Sequence, residues 1–231
     1  MKIIEVQQAL AQKGYKPGAL DGVWGRQTAS ALRSFQSDHH LQADGILGPL
    51  TLAELFPDSK QSRKLDDPSL IWFKEALRLL GTRETPGVGS NPTILHWATD
   101  QGIPYKGDDI PWCGLFVGHC ISSTLDREST PTRVLSARAW GAFGIKTKPT
   151  PGAVMVFWRQ SPDSGLGHVG FYAGEDDKAY RIVGGNQSDS VSLAWITKDR
   201  LVDARWPSSV SAPIPAPLQI ARTDQLSWNE A

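Results

Sequence analysis

An internal repeat in the first quarter of the chain constrains its fold more than any other feature of the sequence. The pattern D-G-x-x-G-x-x-T-x-x-x-L occurs twice, over residues 21–32 and 44–55. Asp followed by Gly favours a tight turn, because Gly adopts positive φ without strain. The Thr then lies at or just inside a helix start, and the Leu packs about one turn later. The repeat therefore predicts two ordered turns that each lead into a helix.

The residues before and after the repeat define the ends of this predicted module. An apolar stripe from Ile3 to Leu10 indicates a first helix that ends near Gly14. We therefore predict a small module of three helices over residues 1–57. Residues 58–67 are polar and lack periodicity, as is typical of a linker.

The rest of the chain carries helix signals first and strand signals afterwards. Asp67-Pro68 and Asn91-Pro92 each resemble an N-cap with Pro at the first helical position, and Gly81 and Gly102 are the matching stop signals. Short apolar runs then predict strands near residues 153–158, 168–173, 179–183, 190–196 and 203–206. This order predicts an α+β domain over residues 68–207, with helices packed on an antiparallel sheet.

The last part of the chain, residues 208–231, contains prolines at positions 213, 215 and 217. Prolines at this spacing favour extended backbone. We therefore predict an extended and poorly packed C-terminal tail.

Composition excludes several classes of function. Lys plus Arg and Asp plus Glu each number 24, so the chain lacks the basic excess of a nucleic-acid-binding protein. The sequence has no apolar run long enough to span a membrane, which needs roughly 18 residues. Residues 1–10 lack the apolar core of a signal peptide. The expectation is synthesis in the cytoplasm and, for action outside it, release by another route.

Cys113 is the first candidate for a catalytic residue. Pro111 interrupts regular structure just before it, so a helix that starts near Cys113 would favour a thiolate through its dipole and free N–H groups. The only other cysteine, Cys120, would lie about 10 Å further along that helix, too far for a disulfide. Cys120 is therefore assigned to the core. A buried packing role is the alternative for Cys113. No set of metal ligands with zinc-site spacing is present, and no cofactor is expected.

His168 and Asn186 are the candidates for partners of this thiol. His168 begins a predicted strand beside two glycines, which offer its imidazole ring no side chains to pack against. This position favours a general base over a packing role. Asn186 follows a later strand and is placed to orient the far ring nitrogen of His168. The alternative for Asn186 is an ordinary turn residue after two glycines. The four other histidines favour structural or solvent-exposed roles.

The doubled repeat resembles the peptidoglycan-binding module of bacterial cell-wall hydrolases and phage lysins. The resemblance covers residues 3–56, almost the whole module. It implies peptidoglycan as the partner. The residues of the pattern that we assign to substrate binding are Asp21, Gly22, Trp24, Gly25, Asp44, Gly45 and Gly48.

Residues 68–206 resemble the papain-like cell-wall hydrolases of the CHAP and NlpC kind. The matching pieces are Trp112-Cys113, Pro151–Val154, Gly167–Gly170 and Gly185-Asn186. The resemblance implies hydrolysis of an amide in the peptide stem, with Cys113 as nucleophile, His168 as base and Asn186 as orienting residue. An acidic residue often fills the third position in these families, so Glu84 is a second candidate, and Trp112 is a further possible site residue.

The sequence leaves three questions open. The scissile bond is either the amide between the sugar lactyl group and L-Ala or a peptide bond within the stem. The protein is either a phage endolysin or an injected antibacterial effector. In both cases we expect it to be a monomer. Two other classes are a cell-wall-binding or phage structural protein without activity, and a thiol protease or acyltransferase that acts on proteins.

Overall fold

The computed structural model describes residues 2–47, 49–56, 67, 70–87, 89–211, 213, 215–222 and 225–227. The described helices, in chain order, are α1 Ile3–Gln12, α2 Arg26–Asp38, α3 Pro49–Leu55, α4 Ile71–Arg78, α5 Pro92–Asp100 and α6 Cys113–Ser122. Two 3₁₀ helices follow, Ala137–Ala142 and Lys198–Arg200.

The first three helices share a small apolar core. Val6 and Leu10 of α1 and Phe35 of α2 are fully buried. The Leu that ends each repeat, Leu32 in α2 and Leu55 in α3, is buried in the same core. The spacing of the repeat therefore predicts correctly which of its residues pack inside.

Six strands form one antiparallel sheet. They are β1 Ile145–Lys146, β2 Val154–Trp158, β3 Gly167–Glu175, β4 Ala179–Gly184, β5 Ser192–Thr197 and β6 Leu201–Trp206, in the spatial order β1-β6-β2-β3-β4-β5. The prediction of an α+β fold with helices and an antiparallel sheet is confirmed. Strand β1 is not predicted from the sequence, because two residues are too short to show alternation.

The starts of α5 and α6 agree with their sequence signals. Asn91 caps α5, and its side-chain oxygen accepts a hydrogen bond from the Thr93 N–H at 2.8 Å. Helix α6 begins at Cys113, directly after the Pro111-Trp112 segment. Helix α4 begins at Ile71, and the predicted start at Pro68 lies outside the described residues.

Helix α6 is the central helix of the second half of the chain. It contacts β3 on the sheet and also packs against α4 and α5. Most of its residues are buried, including Phe116, whose ring lies 6.1 Å from that of Phe171 on β3. A helix surrounded on all sides has little freedom to shift, so its first residue, Cys113, is held in a fixed place relative to β3.

The C-terminal tail packs on the sheet, so the prediction of a poorly packed tail is wrong for its described part. Leu218 and Ile220 are buried, and the Glu175 N–H donates to the Leu218 carbonyl at 2.8 Å. Further along, the Ser227 N–H donates to the carbonyl of Trp195 in β5 at 2.7 Å. Prolines do predict extended backbone, but extended backbone is also what the edge of a sheet can bind.

Two predictions about the ends of domains are not tested by the described residues. Of the predicted linker over residues 58–67, only Asp67 is described. The predicted boundaries at residues 57, 67 and 207 therefore stay predictions.

Within the described ranges, no helix combines the length and the apolar content needed to cross a bilayer.

Candidate functional site

The turn of the second repeat is hydrogen-bonded to a buried glutamine, Gln36, which lies outside the sequence pattern. The Gln36 side-chain NH₂ donates to Asp44 Oδ1 at 2.8 Å and to the Ile46 carbonyl at 2.9 Å. Its Oε1 accepts the Gly45 N–H at 2.8 Å. Gly45 has φ of +74°, the left-handed conformation for which the pattern requires glycine.

The first copy of the repeat is built in the same way around Gln7. Its Nε2 lies 3.1 Å from Asp21 Oδ1 and 3.1 Å from the Val23 carbonyl, and its Oε1 accepts the Gly22 N–H at 2.8 Å. Both glutamines are only 1% exposed. Sequence reasoning missed them because they precede the pattern at unequal distances, 14 residues before Asp21 and 8 before Asp44.

These contacts give a structural role to most of the residues predicted to bind substrate. Asp21, Gly22, Asp44 and Gly45 all hydrogen-bond within the module, as described above. Trp24 is half-buried against the core, and Gly25 is the N-cap of α2, whereas Gly48 lies outside the described residues. A role for any of them in wall binding stays a prediction.

Cys113 lies at the N-terminus of α6 with its thiol directed at strand β3. Burial raises the pKa of this thiol, although the nearby N–H groups of Val169 and Gly114, the positive charge of Arg159 and the N–H of Cys113 itself lower the pKa in part. The Val169 N–H is available because the pairing of β3 with β4 starts only at Phe171. A buried thiol with a raised pKa needs a neighbouring base before it can become a nucleophile.

His168 directly precedes Val169 on β3, so the candidate base is adjacent to a residue whose N–H lies near the thiol. The residue is only 1% exposed. Its Nε2 lies 3.1 Å from Oε1 of Gln187. Gly184 makes room for this contact, because a Cβ there would lie 2.8 Å from the same His168 nitrogen.

The Gln187 amide has a defined orientation, and this assigns the proton on His168. Its Nε2 donates to the Ser192 carbonyl at 2.6 Å, so its Oε1 must face the imidazole. This oxygen accepts a hydrogen bond from the N–H at His168 Nε2, so that nitrogen carries the ring proton. In the neutral ring, Nδ1 is then the nitrogen with the lone pair.

The structure corrects the role that the sequence assigns to Asn186. The position opposite His168 Nε2 belongs to the next residue, Gln187. Asn186 has φ of +57° and turns toward α6, where its Oδ1 accepts the Trp112 backbone N–H at 3.0 Å. Its Nδ2 donates to Glu84 Oε1 at 3.1 Å. Asn186 therefore contacts the residue before the nucleophile.

Glu84 and Trp112, the additional candidates, belong to the same network. The Trp112 indole N–H donates to Glu84 Oε1 at 2.7 Å. Burial raises the pKa of Glu84, the Trp112 hydrogen bond lowers it in part, and the carboxylates of Asp189, Asp108 and Asp109 raise it further. This contact could not be predicted from the sequence, because 28 residues separate its two members.

A cavity of about 800 Å³ opens beside this network. Its lining includes Glu84, Ser90, Lys106, Asp108, Asp109 and Asp189. Tyr105 lies near carboxylates that line this cavity and near the thiol. Burial raises the pKa of Tyr105, and the charges of Asp108, Glu84, Asp109 and Cys113 raise it further.

The remaining cysteine and most of the other histidines have structural surroundings. Cys120 is a free, fully buried thiol, and burial raises its pKa well above the ordinary value. His39, His96 and His119 pair with Glu54, Asp100 and Glu75, respectively. In the described part of the chain, no three His, Cys, Asp or Glu side chains converge in a way that would hold a metal ion.

Comparison with known proteins identifies the N-terminal module. Residues 2–55 match the family described as "Putative peptidoglycan binding domain". This match agrees with the resemblance inferred from the doubled repeat, and it covers the part of the chain that contains α1, α2 and α3.

Curated relatives extend the similarity beyond the module. The chain is 43% identical over 217 residues to N-acetylmuramoyl-L-alanine amidase CwlM of Mycobacterium tuberculosis, an alignment that covers 88% of this chain and 52% of the relative. Two Bacillus licheniformis proteins are also similar. A probable N-acetylmuramoyl-L-alanine amidase is 41% identical over 59 residues, covering 23% of this chain and 17% of the relative. N-acetylmuramoyl-L-alanine amidase CwlL is 44% identical over 57 residues, covering 22% and 16%.

The chain thus spans about half the length of one curated relative, and less than a fifth of the other two. No solved structure matches the chain. The arrangement around Cys113 therefore has to be interpreted from its own geometry.

Proposed function

We propose that this protein hydrolyses an amide bond in the peptide stem of bacterial peptidoglycan, with Cys113 as a thiolate nucleophile. The observation that carries the proposal is the arrangement on β3: the Val169 N–H lies near enough to the Cys113 sulfur to lower the pKa of the thiol, and the adjacent His168 contacts Gln187 through its Nε2. A thiol, a base and a residue that orients the base are the three parts of a papain-like site. The CHAP and NlpC kind of hydrolase is the form of this site that we propose.

The catalytic cycle follows from the proton assignment on the ring. His168 Nδ1 takes the Cys113 proton, which leaves an imidazolium beside the thiolate. The sulfur attacks the carbonyl carbon, and the negative charge moves to the carbonyl oxygen, where N–H groups at the start of α6 stabilise it. The C–N bond then breaks, and the amine leaves with the proton from His168. Water, activated by the same ring, hydrolyses the thioester and restores the thiol.

Gln187 is the orienting residue in this mechanism, in place of Asn186. By accepting a hydrogen bond from the Nε2–H it leaves Nδ1 as the unprotonated nitrogen that serves as the base. It also stabilises the imidazolium, although less than a carboxylate would. The third member of the proposed site is thus a neutral amide.

The substrate assignment rests on the N-terminal module and on the relatives. A module of the peptidoglycan-binding kind would hold the enzyme on an insoluble wall and raise the local concentration of stems. The names of the relatives favour the N-acetylmuramoyl–L-alanine amide as the scissile bond. The cavity of about 800 Å³ beside Glu84 has the size of a site for part of one stem.

Two variants of the same helix test the proposal. Cys113→Ala removes the nucleophile and is expected to abolish release of fragments from purified peptidoglycan, a loss of at least about 10³-fold. Cys120→Ala removes the other buried thiol of α6 and is expected to retain activity. Mass spectrometry of the released fragments identifies the scissile bond from its new termini.

The same experiment distinguishes the other classes of function. If Cys113→Ala folds normally and still releases fragments at the wild-type rate, the cysteine mechanism is wrong. If the wild-type protein binds the wall without releasing fragments, a wall-binding or phage structural role replaces the hydrolase. Digestion of casein as fast as the wall would indicate a protease that acts on proteins.

A further inference from the structure

We propose that Glu84 is a positioning residue for the nucleophile, which acts by fixing Trp112, the residue that precedes Cys113. The inference rests on the proposed function in taking Cys113 as the nucleophile. It assigns to Glu84 a task different from orienting His168, which Gln187 performs. The argument depends on the contacts of Trp112, of Glu84 and of the loop between β4 and β5.

Trp112 is fixed through both its backbone and its side chain. It is fully buried, its backbone N–H donates to Asn186 Oδ1, and its indole N–H donates to Glu84 Oε1 at 2.7 Å. Gly185 presses against the indole, since a Cβ on Gly185 would lie 2.6 Å from the ring. The Trp112 carbonyl then accepts the Phe116 N–H and so begins the helical hydrogen bonding of α6. Any movement of Trp112 is therefore transmitted to Cys113.

One carboxylate oxygen connects the two contacts of Trp112. Glu84 Oε1 accepts both the indole N–H and the Asn186 Nδ2, and Asn186 in turn accepts the Trp112 backbone N–H. The three residues thus form a closed ring of hydrogen bonds. Such a ring leaves each member little freedom, because moving one breaks two bonds.

Glu84 is itself anchored to the loop that carries Asn186 and Gln187. The Glu84 N–H donates to the Asp189 carbonyl at 2.9 Å, and Arg83 pairs with Ser190 in an antiparallel bridge. The same loop delivers Gln187 to His168. The same loop therefore positions both residues: Cys113 through Trp112, and His168 through Gln187.

The surroundings of Glu84 indicate that its hydrogen bonds, and not its charge, are what the site uses. Three neighbouring carboxylates, those of Asp189, Asp108 and Asp109, disfavour a further negative charge at this place. A negative charge also disfavours the thiolate of Cys113. An uncharged acceptor of the same shape should therefore replace Glu84 with little loss.

The test measures the reactivity of Cys113 without any substrate, so that it does not depend on which bond is cut. The rate of alkylation of Cys113 by iodoacetamide is followed by mass spectrometry of the full chain between pH 5 and 9. Glu84→Gln keeps the acceptor oxygen and removes the charge, and we expect its rate to stay within about threefold of wild type. Glu84→Leu removes the acceptor, and we expect a rate at least about tenfold lower, because the thiol is no longer held against Val169.

A double-mutant cycle shows whether Glu84 acts through Trp112. Trp112→Phe removes the indole N–H and keeps an aromatic ring in the core. If both residues act through one hydrogen bond, the double variant Glu84→Leu/Trp112→Phe alkylates no more slowly than the slower single variant. Multiplied losses in the double variant would overturn the proposal. Circular dichroism confirms that the variants compared are folded.

The outcomes separate this inference from the proposed function. An alkylation rate in Glu84→Leu equal to that of wild type overturns the positioning role, whatever the protein does to the wall. A Glu84→Gln rate as low as that of Glu84→Leu also overturns it, because the charge would then be the important property. If the expected pattern appears in a protein that releases no wall fragments, the positioning role is supported and the proposed hydrolase is wrong.

Discussion

Adjacent glutamines in α1 offer a direct test of how the N-terminal repeat is held together. Gln7 is 1% exposed and is the hydrogen-bonding centre of the first repeat, whereas Gln8 is exposed on the other side of the same helix. Both substitutions to Ala remove the same side chain from the same helix. Their helix propensities change equally, so any difference between them measures the buried contacts.

The magnitude follows from the contacts that Gln7→Ala removes. The Gly22 N–H loses its acceptor at 2.8 Å, and the carbonyls of Ala19 and Val23 lose a donor. One buried donor left unpaired costs about 1–3 kcal/mol, and each further lost hydrogen bond about 0.5–1.5 kcal/mol. We therefore expect Gln7→Ala to destabilise the module by about 2–6 kcal/mol and Gln8→Ala by less than about 0.5 kcal/mol.

Hydrogen exchange of the full chain, read out by mass spectrometry, measures this difference locally. A peptide that contains Gly22 should exchange faster in Gln7→Ala, by about 30-fold up to about 20,000-fold, since 1.4 kcal/mol corresponds to tenfold. Peptides from the β-sheet serve as an internal control and should not change. Equal exchange in the Gln7 and Gln8 variants would refute the view that the glutamine holds the repeat together.

Two further predictions concern the second half of the chain. Gln187→Leu removes the acceptor of the ring proton, and we expect a loss of activity on peptidoglycan of about 10- to 100-fold, with Cys113 alkylation slowed in parallel and an unchanged circular dichroism spectrum. The second concerns Glu128. Burial raises its pKa, but hydrogen bonds from Ser209 and Ser208 outweigh this, so the folded pKa is lower than its ordinary value of 4.5. A lowered pKa stabilises the fold above that ordinary value, and the contribution is lost as the pH falls through the folded pKa. Glu128→Gln should therefore reduce the free energy of unfolding by about 1–2 kcal/mol at pH 7 and much less at pH 3, as measured by urea denaturation. The exposed Asp126→Asn is the control and should change it little at either pH.

The sequence was sufficient to place the elements that carry Cys113 and His168, the nucleophile and the base of the proposed mechanism. Cys113 follows a proline that interrupts the chain, and His168 begins an apolar run between glycines. Both signals are local, since they depend on residues a few positions away, and the structure places both residues where these signals predict. Local signals of this kind are the most dependable part of a sequence.

The contact between Gln187 and His168 was missed because it depends on the backbone conformation of a single turn. Asn186 and Gln187 are adjacent amides, and either can bind an imidazole. The φ of +57° at Asn186 turns its side chain toward Trp112 and leaves Gln187 to face His168. No periodicity in the sequence reports that angle. The Glu84 contact was out of reach for a different reason, since its bond to Asn186 joins residues 102 positions apart.

The C-terminal tail was misjudged because its composition describes the backbone and not its surroundings. Prolines indicate that the chain is extended, but they do not indicate whether water or a strand satisfies the remaining backbone groups. Here the side chains of Leu218 and Ile220 are buried, which shows that the tail packs on the sheet. Alternating apolar residues at these two positions were the signal that could have revealed it.

The packing of the tail has a consequence for how molecules of this protein behave when crowded together. A six-stranded open sheet has two edges, and unpaired edges invite strands of other molecules to add to them. One edge here is β1, which is only two residues long, and the other is β5, where the chain itself supplies the Leu226–Trp195 bridge. The first edge is thus short, and the second is covered in part by the protein's own chain. Copies of the protein held close together then have little exposed strand through which their sheets could join.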